Sequence, residues 1–119
     1  MDYRRAFIGL QYRGKVQSVR RTYHVLEGEK HFIVVAPRAS TGGYFATVPQ
    51  AALVYLVKRL GGTQSVTTGE ALKACSRSKH FGDRFAMLNA LYVLVAIGHA
   101  RISRYSGQSL FFNIYKGVA

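Results

Sequence analysis

Acidic residues are scarce in this chain. Asp2, Glu27, Glu29, Glu70 and Asp83 stand against 17 Lys and Arg, leaving a formal net charge of +12 over 119 residues. A metal-dependent nuclease needs paired carboxylates with a nearby lysine. Glu27-Gly28-Glu29-Lys30 is the one stretch with that composition, and a hairpin turn explains it more simply. Cysteine is limited to Cys75, which excludes an intramolecular disulfide and fits a reducing compartment. The four histidines, at 24, 31, 80 and 99, lack metal-ligand spacing, and Cys75 with His80 is a pair rather than a site. No uncharged run reaches the ~20 residues that cross a bilayer. Phe85 to Ala100, the uncharged run of the most helix-like apolar character, falls short of it, and Phe7 to Leu10 is too short for the apolar stretch of a signal peptide. Thr41-Gly42-Gly43 lacks the Lys-Ser/Thr of a phosphate-binding P-loop. Internal repeats, low-complexity tracts and flexible linkers are missing too. The expectation is a non-enzymatic protein with no catalytic residue, no metal and no cofactor, placed in the cytoplasm, or on the nucleoid if the source is bacterial or archaeal.

What is present suits a folded, anion-seeking domain. Hydrophobic residues make up 49% and charged residues 18%, enough apolar matter for a sizeable core. An excess of cations this large repels itself in an isolated compact fold, so a polyanionic partner is expected, nucleic acid foremost. The length suits one compact domain, with a β-rich part over 1–48 and a helical part over 49–119.

The first part favours strands. Ala6 to Tyr12 carries aromatic and β-branched residues ahead of a turn-like Arg13-Gly14-Lys15. Val16 to Leu26 then alternates, with Gln17, Val19, Arg21, Tyr23 and Val25 as the candidate buried face, although Arg21 fits it poorly. Glu27 to Lys30 reads as a hairpin turn, His31 to Ala36 as a central strand stopped by Pro37, and Tyr44 to Val48 as a short strand after the Arg38 to Gly43 loop. These elements predict a small antiparallel sheet, and hence an α+β architecture with the sheet first.

The second part has helix punctuation. Pro49 opens a helix over Gln50 to Leu60 with an apolar stripe of Leu53, Leu56, Val57 and Leu60; Lys58 and Arg59 close it, and Gly61-Gly62 ends it. Thr67 and Glu70 have capping-box spacing and fix the start of a second helix, in which Ala71, Leu72 and Cys75 face inward. Asp83 is placed to cap a third helix, Phe85 to Ile97, with Gly98 as its stop. That helix is apolar all round, so it must be covered all round, by the sheet or at a homodimer seam through Met87, Ala90 and Leu94. Two strands follow, His99 to Tyr105 and Leu110 to Tyr115, joined by Ser106-Gly107-Gln108-Ser109.

Helix, helix, helix, hairpin over Pro49 to Gly117 resembles the winged helix-turn-helix superfamily of DNA-binding domains. The likeness rests on Thr67-Thr68-Gly69-Glu70-Ala71-Leu72 and on Ala90 to Gly98 running straight into the hairpin. It implies a third helix in the major groove and a hairpin wing along the backbone or minor groove. Here Ala86, Met87 and Ala90 occupy positions where such domains carry polar base readers, which moves the expected contacts to the start of the helix and the wing.

The candidate contact residues follow. Ser76, Arg77, Ser78, Lys79 and His80, with Arg84 one turn on, gather phosphate-binding donors before a helix N-terminus. Arg101, Arg104, Tyr105 and Gln108 belong to the wing. The leading expectation is duplex DNA binding by a regulator or recognition module. An alternative is RNA or single-strand binding through the sheet, where Arg4, Arg5, Arg13, Lys15, Arg20, Arg21, Lys30 and Arg38 are interleaved with Tyr3, Tyr12 and Tyr23. A third is a homodimeric protein-interaction module.

Overall fold

A computed structural model describes residues 9–19, 21–37, 43–107 and 109–117. Its architecture is α+β, and the described residues form a four-stranded antiparallel sheet, three helices and a second, three-stranded sheet. The first sheet is a meander in chain order: β1 (Gln11–Gln17), β2 (Thr22–Glu27), β3 (His31–Ala36) and β4 (Tyr44–Pro49). Three helices follow, α1 (Gln50–Leu60), α2 (Thr68–Ala74) and α3 (Arg84–Ala96). A two-residue strand, β5 (Val66–Thr67), lies between α1 and α2, and the chain finishes with the hairpin β6 (Ala100–Ser106) and β7 (Ser109–Ile114). In the second sheet β7 is central, paired with β5 on one side and β6 on the other.

The first hairpin departs from the sequence expectation. Arg13-Gly14-Lys15 is not a turn: β1 runs through it, with a register shift between Tyr12 and Gly14 against β2. Gly14 has φ +147, and a Cβ there would stand 3.4 Å from the Ala96 carbonyl oxygen at the end of α3. Glycine therefore serves a bulge and a close approach rather than a reversal. The chain reverses between β1 and β2, where the Ser18 N–H donates to the Arg21 carbonyl at 2.8 Å and the Thr22 hydroxyl donates to the Gln17 side chain at 2.5 Å. That turn resets the alternation. Val16 and Val25 are both buried, while Gln17 and Val19 are exposed. Of the expected first strand, Ala6 to Ile8 lie outside the described residues, as do Arg38 to Gly42 of the following loop. The Glu27 to Lys30 turn is present, closed by Gly28 N–H donating to the His31 carbonyl at 2.7 Å.

Helix boundaries follow local chemistry. Pro49 ends β4 and is itself the residue before the first helical turn of α1, with φ −63. The Thr67 hydroxyl accepts from the Glu70 N–H at 3.1 Å while the Glu70 carboxylate accepts from the Thr67 N–H at 3.0 Å. These reciprocal bonds make the capping box. Asp83 Oδ1 accepts from the Ala86 N–H at 2.8 Å and starts α3. Gly98, at φ +82, ends it: its N–H reaches the Val95 carbonyl, and the His99 N–H reaches that of Leu94 at 2.8 Å. This is the left-handed C-terminal motif that glycine adopts without strain.

One set of buried side chains spans both parts, from Val16, Val25, Phe32 and Val34 of the sheet to Leu56, Leu91 and Phe112. α3 is its axis. Met87 and every residue from Asn89 to Leu94 are buried, and the helix packs on all four strands of the first sheet as well as on α1, α2 and β6. Met87, Ala90 and Leu94 are covered within one chain, the sheet taking the role that a dimer seam was offered. Asn89, the one polar residue sealed in this helix, donates to the Tyr44 hydroxyl at 2.6 Å and the Phe85 carbonyl at 2.8 Å. No helix among the described residues is long and apolar enough to cross a membrane.

Candidate nucleic-acid interface

The C-terminal hairpin owes the chemistry of its outer face to a bulge. β6 and β7 pair Arg101 with Asn113 and Ile102 with Phe112, and then Arg104, not Ser103, with Phe111. Ser103 is the extra residue, its hydroxyl donating to the Phe111 carbonyl at 3.1 Å. In a regular strand, residues three apart face opposite sides. With Ser103 out of the count, Arg101 and Arg104 stand opposite Asn113 and Phe111, two residues apart on β7, and so share the outer face. Ile102 and Phe112 face the core. The Arg104 guanidinium lies 4.1 Å from the Phe111 ring centroid, a cation–π contact that limits its wandering. Tyr105 is half exposed but not free, for its hydroxyl donates to the Gln17 carbonyl at 2.9 Å and ties the hairpin to the end of β1. Gln108 lies outside the described residues.

The basic segment before α3 divides into structural and outward-facing members. Phe81 is buried and tilts against Tyr55, with ring centroids 6.4 Å apart. His80 is only half buried and meets the edge of Phe81, and its N–H donates to the Ser78 hydroxyl at 3.2 Å. Ser78 and His80 therefore shape the loop. Ser76 and Arg77 are exposed and line, with Arg59 and Lys73, a depression of about 290 Å³ over the end of α2. Arg59 also donates from Nε to the Ala74 carbonyl at 3.1 Å, satisfying a terminal helix acceptor. Lys79 is exposed.

Arg84 belongs elsewhere. It lines a cleft of about 560 Å³ bounded by the turn after β1, the start of α3 and the first residues of β7. Arg21 lines the same cleft, which accounts for an arginine that spoiled an apolar face in the sequence. The segment expected to present one continuous cationic face thus supplies two separate surfaces, one around Arg77 and one around Arg84. Arg59, Lys73 and Phe85 line these surfaces without having been candidates in the sequence, whereas Arg21 was a candidate only as part of the sheet. The readable signals were the misfit of Arg21 and an aromatic residue at the very start of α3.

Charge pairing is sparse. Among the described residues the one ion pair is Arg13 with Glu27, across β1 and β2. The Glu70 carboxyl is held below the usual carboxylate range, first by the Thr67 backbone N–H and then by the Thr67 side chain. Cys75 is fully buried, and burial pushes its thiol up against a smaller opposing pull from Arg59. A thiol so placed is a core residue and a poor nucleophile. No cluster of three or more His, Cys, Asp or Glu occurs among the described residues. Comparison with family models, curated proteins and solved structures finds no match for this chain, so the functional reading rests on the geometry.

Proposed function

We propose that this is a non-catalytic nucleic-acid-binding protein that grips duplex DNA through its wing and the start of α3. The observation that carries the reading is the pair Arg101 and Arg104, brought onto one outer face by the bulge at Ser103 in a hairpin that contains no acid. The chain order α1, β5, α2, α3, β6, β7, with β5 and β6 flanking β7, supports a winged-helix arrangement for the C-terminal part. Its use must differ from groove insertion, because the middle of α3 is enclosed by the sheet and only Arg84 and Phe85 at its start are exposed. Contacts of this kind go to phosphates, which position a protein but read little sequence. The net charge of +12 agrees with a backbone-dominated mode.

The test is binding to one duplex, one single strand and one structured RNA across a salt series. Three phosphate contacts, from Arg84, Arg101 and Arg104, give a slope of log affinity on log salt of roughly −3, at about −0.9 each, and a duplex that also reached Arg77 and Lys79 on their separate surface would steepen it to roughly −4 to −5. Arg101→Ala with Arg104→Ala should reduce the duplex slope by about 2 and weaken unrelated sequences alike. A slope unchanged by that double substitution would remove the wing from the interface. A preference for single strands or RNA over duplex would move the function to the sheet.

A further inference from the structure

We infer that the cleft between the turn after β1, the start of α3 and the wing receives an unpaired nucleotide of the bound strand. The proposal rests on the nucleic-acid reading above and adds a ligand to a cleft of which that reading uses Arg84 alone. At about 560 Å³ the cleft is within the range of pockets that hold small ligands. Its chemistry is aromatic and cationic together. Phe85 is 69% exposed on its rim, more than any other large hydrophobic side chain among the described residues. A phenyl ring left in water beside an exposed arginine at the start of a helix is suited to stack a base, since every nucleobase has a π face.

The floor is rigid. Tyr23 and Tyr92 stack with centroids 4.5 Å apart and planes 28° from parallel, and the Tyr92 hydroxyl donates to Ser18 at 3.1 Å. Arg21 and Arg84 supply two cations, and among the described residues no Asp or Glu lines the cleft. An anionic aromatic group matches that lining; a neutral apolar ligand would leave both guanidiniums unused. The hairpin that carries Arg101 and Arg104 also brings Ser109 and Leu110 to the cleft, so its tip borders the opening. A duplex end or a displaced nucleotide could then place one base on Phe85 with its phosphate on Arg84 and Arg21.

The experiment compares a short blunt duplex, the same duplex with an unpaired overhang, and free dAMP, by fluorescence anisotropy or competition against it. The full chain should bind the overhang duplex roughly ten-fold more tightly than the blunt one, the gain a single stacked base gives. Phe85→Ala, an exposed substitution, should erase that gain while leaving blunt-duplex affinity in place. Arg84→Ala should reduce it as well. Equal affinity for the two duplexes, or a preference that survives Phe85→Ala, overturns the proposal and leaves the wing reading standing. If free dAMP competes as strongly as the overhang duplex, the cleft is a small-molecule site and the strand assignment falls. If no duplex of either form binds, the nucleic-acid reading fails first and this inference with it.

Discussion

Tyr92 joins three parts of the molecule through one side chain. Its ring stacks on Tyr23 of β2, tilts against Phe112 of β7 at 6.5 Å, and its hydroxyl reaches Ser18 in the first turn. Burial, opposed by the bond to Ser18, pushes its pKa up to about 12. Below about pH 10 the hydroxyl keeps its proton in both the folded and the unfolded chain. Above that the unfolded chain releases it first, so stability falls as pH rises toward the folded value. By about pH 11 the effect is worth roughly 1 kcal/mol. The urea midpoint of the native chain should therefore drop more steeply between about pH 9 and 11 than that of Tyr92→Phe. Cys75, also raised by burial, acts equally in both proteins and cancels. Parallel curves would show that Tyr92 titrates as freely folded as unfolded. This residue also marks the reach of sequence reading. The spacing of Tyr92 within α3 was legible, but its hydroxyl partner lies 74 residues away, whereas Thr67 and Glu70 are three apart and their bonds could be read directly.

At the scale of elements, local punctuation was legible and register was not. Capping residues and the closing glycine placed α1, α2 and α3 to within a residue or two, because those signals act over one helical turn. The first hairpin went astray because a glycine with positive φ serves a turn or a bulge equally well, and pairing with β2 decides between them. β5, at two residues, is too short to show any periodicity and exists because β7 offers it a ladder. The bulge in β6 was invisible for the same reason, although its consequence decides which way two arginines point. Deleting Ser103 should leave Arg104 opposite Phe111 and so keep the duplex salt slope within about half a unit of the native value. The cost should be one hydrogen bond, about 1 kcal/mol in a urea melt. Loss of duplex binding in a folded deletion variant would mean that the bulge's twist, rather than its phase, sets the interface.

Across the whole molecule the dominant fact is unbalanced charge. A net +12, with one ion pair among the described residues, leaves the folded chain repelling itself. Salt screens such repulsion within a Debye length of about 10 Å at 0.1 M. Thermal stability should therefore rise with sodium chloride, by about 4 °C if screening returns roughly 1 kcal/mol. Duplex DNA at low salt should raise it further. A melting temperature insensitive to salt would indicate that the cations are already spaced widely enough not to interact. The composition announced this term plainly, while the sharing of one core between sheet and helices rested on covering an all-apolar helix and needed the structure to say with what. That covering also sets the order in which the molecule breathes. Among the described residues β1 is paired on one side alone and buries a single side chain, so its amides can meet solvent through small local openings. The middle of α3 has no such route. Its amide protons should be the last to exchange for deuterium, leaving only when sheet and helical bundle come apart together.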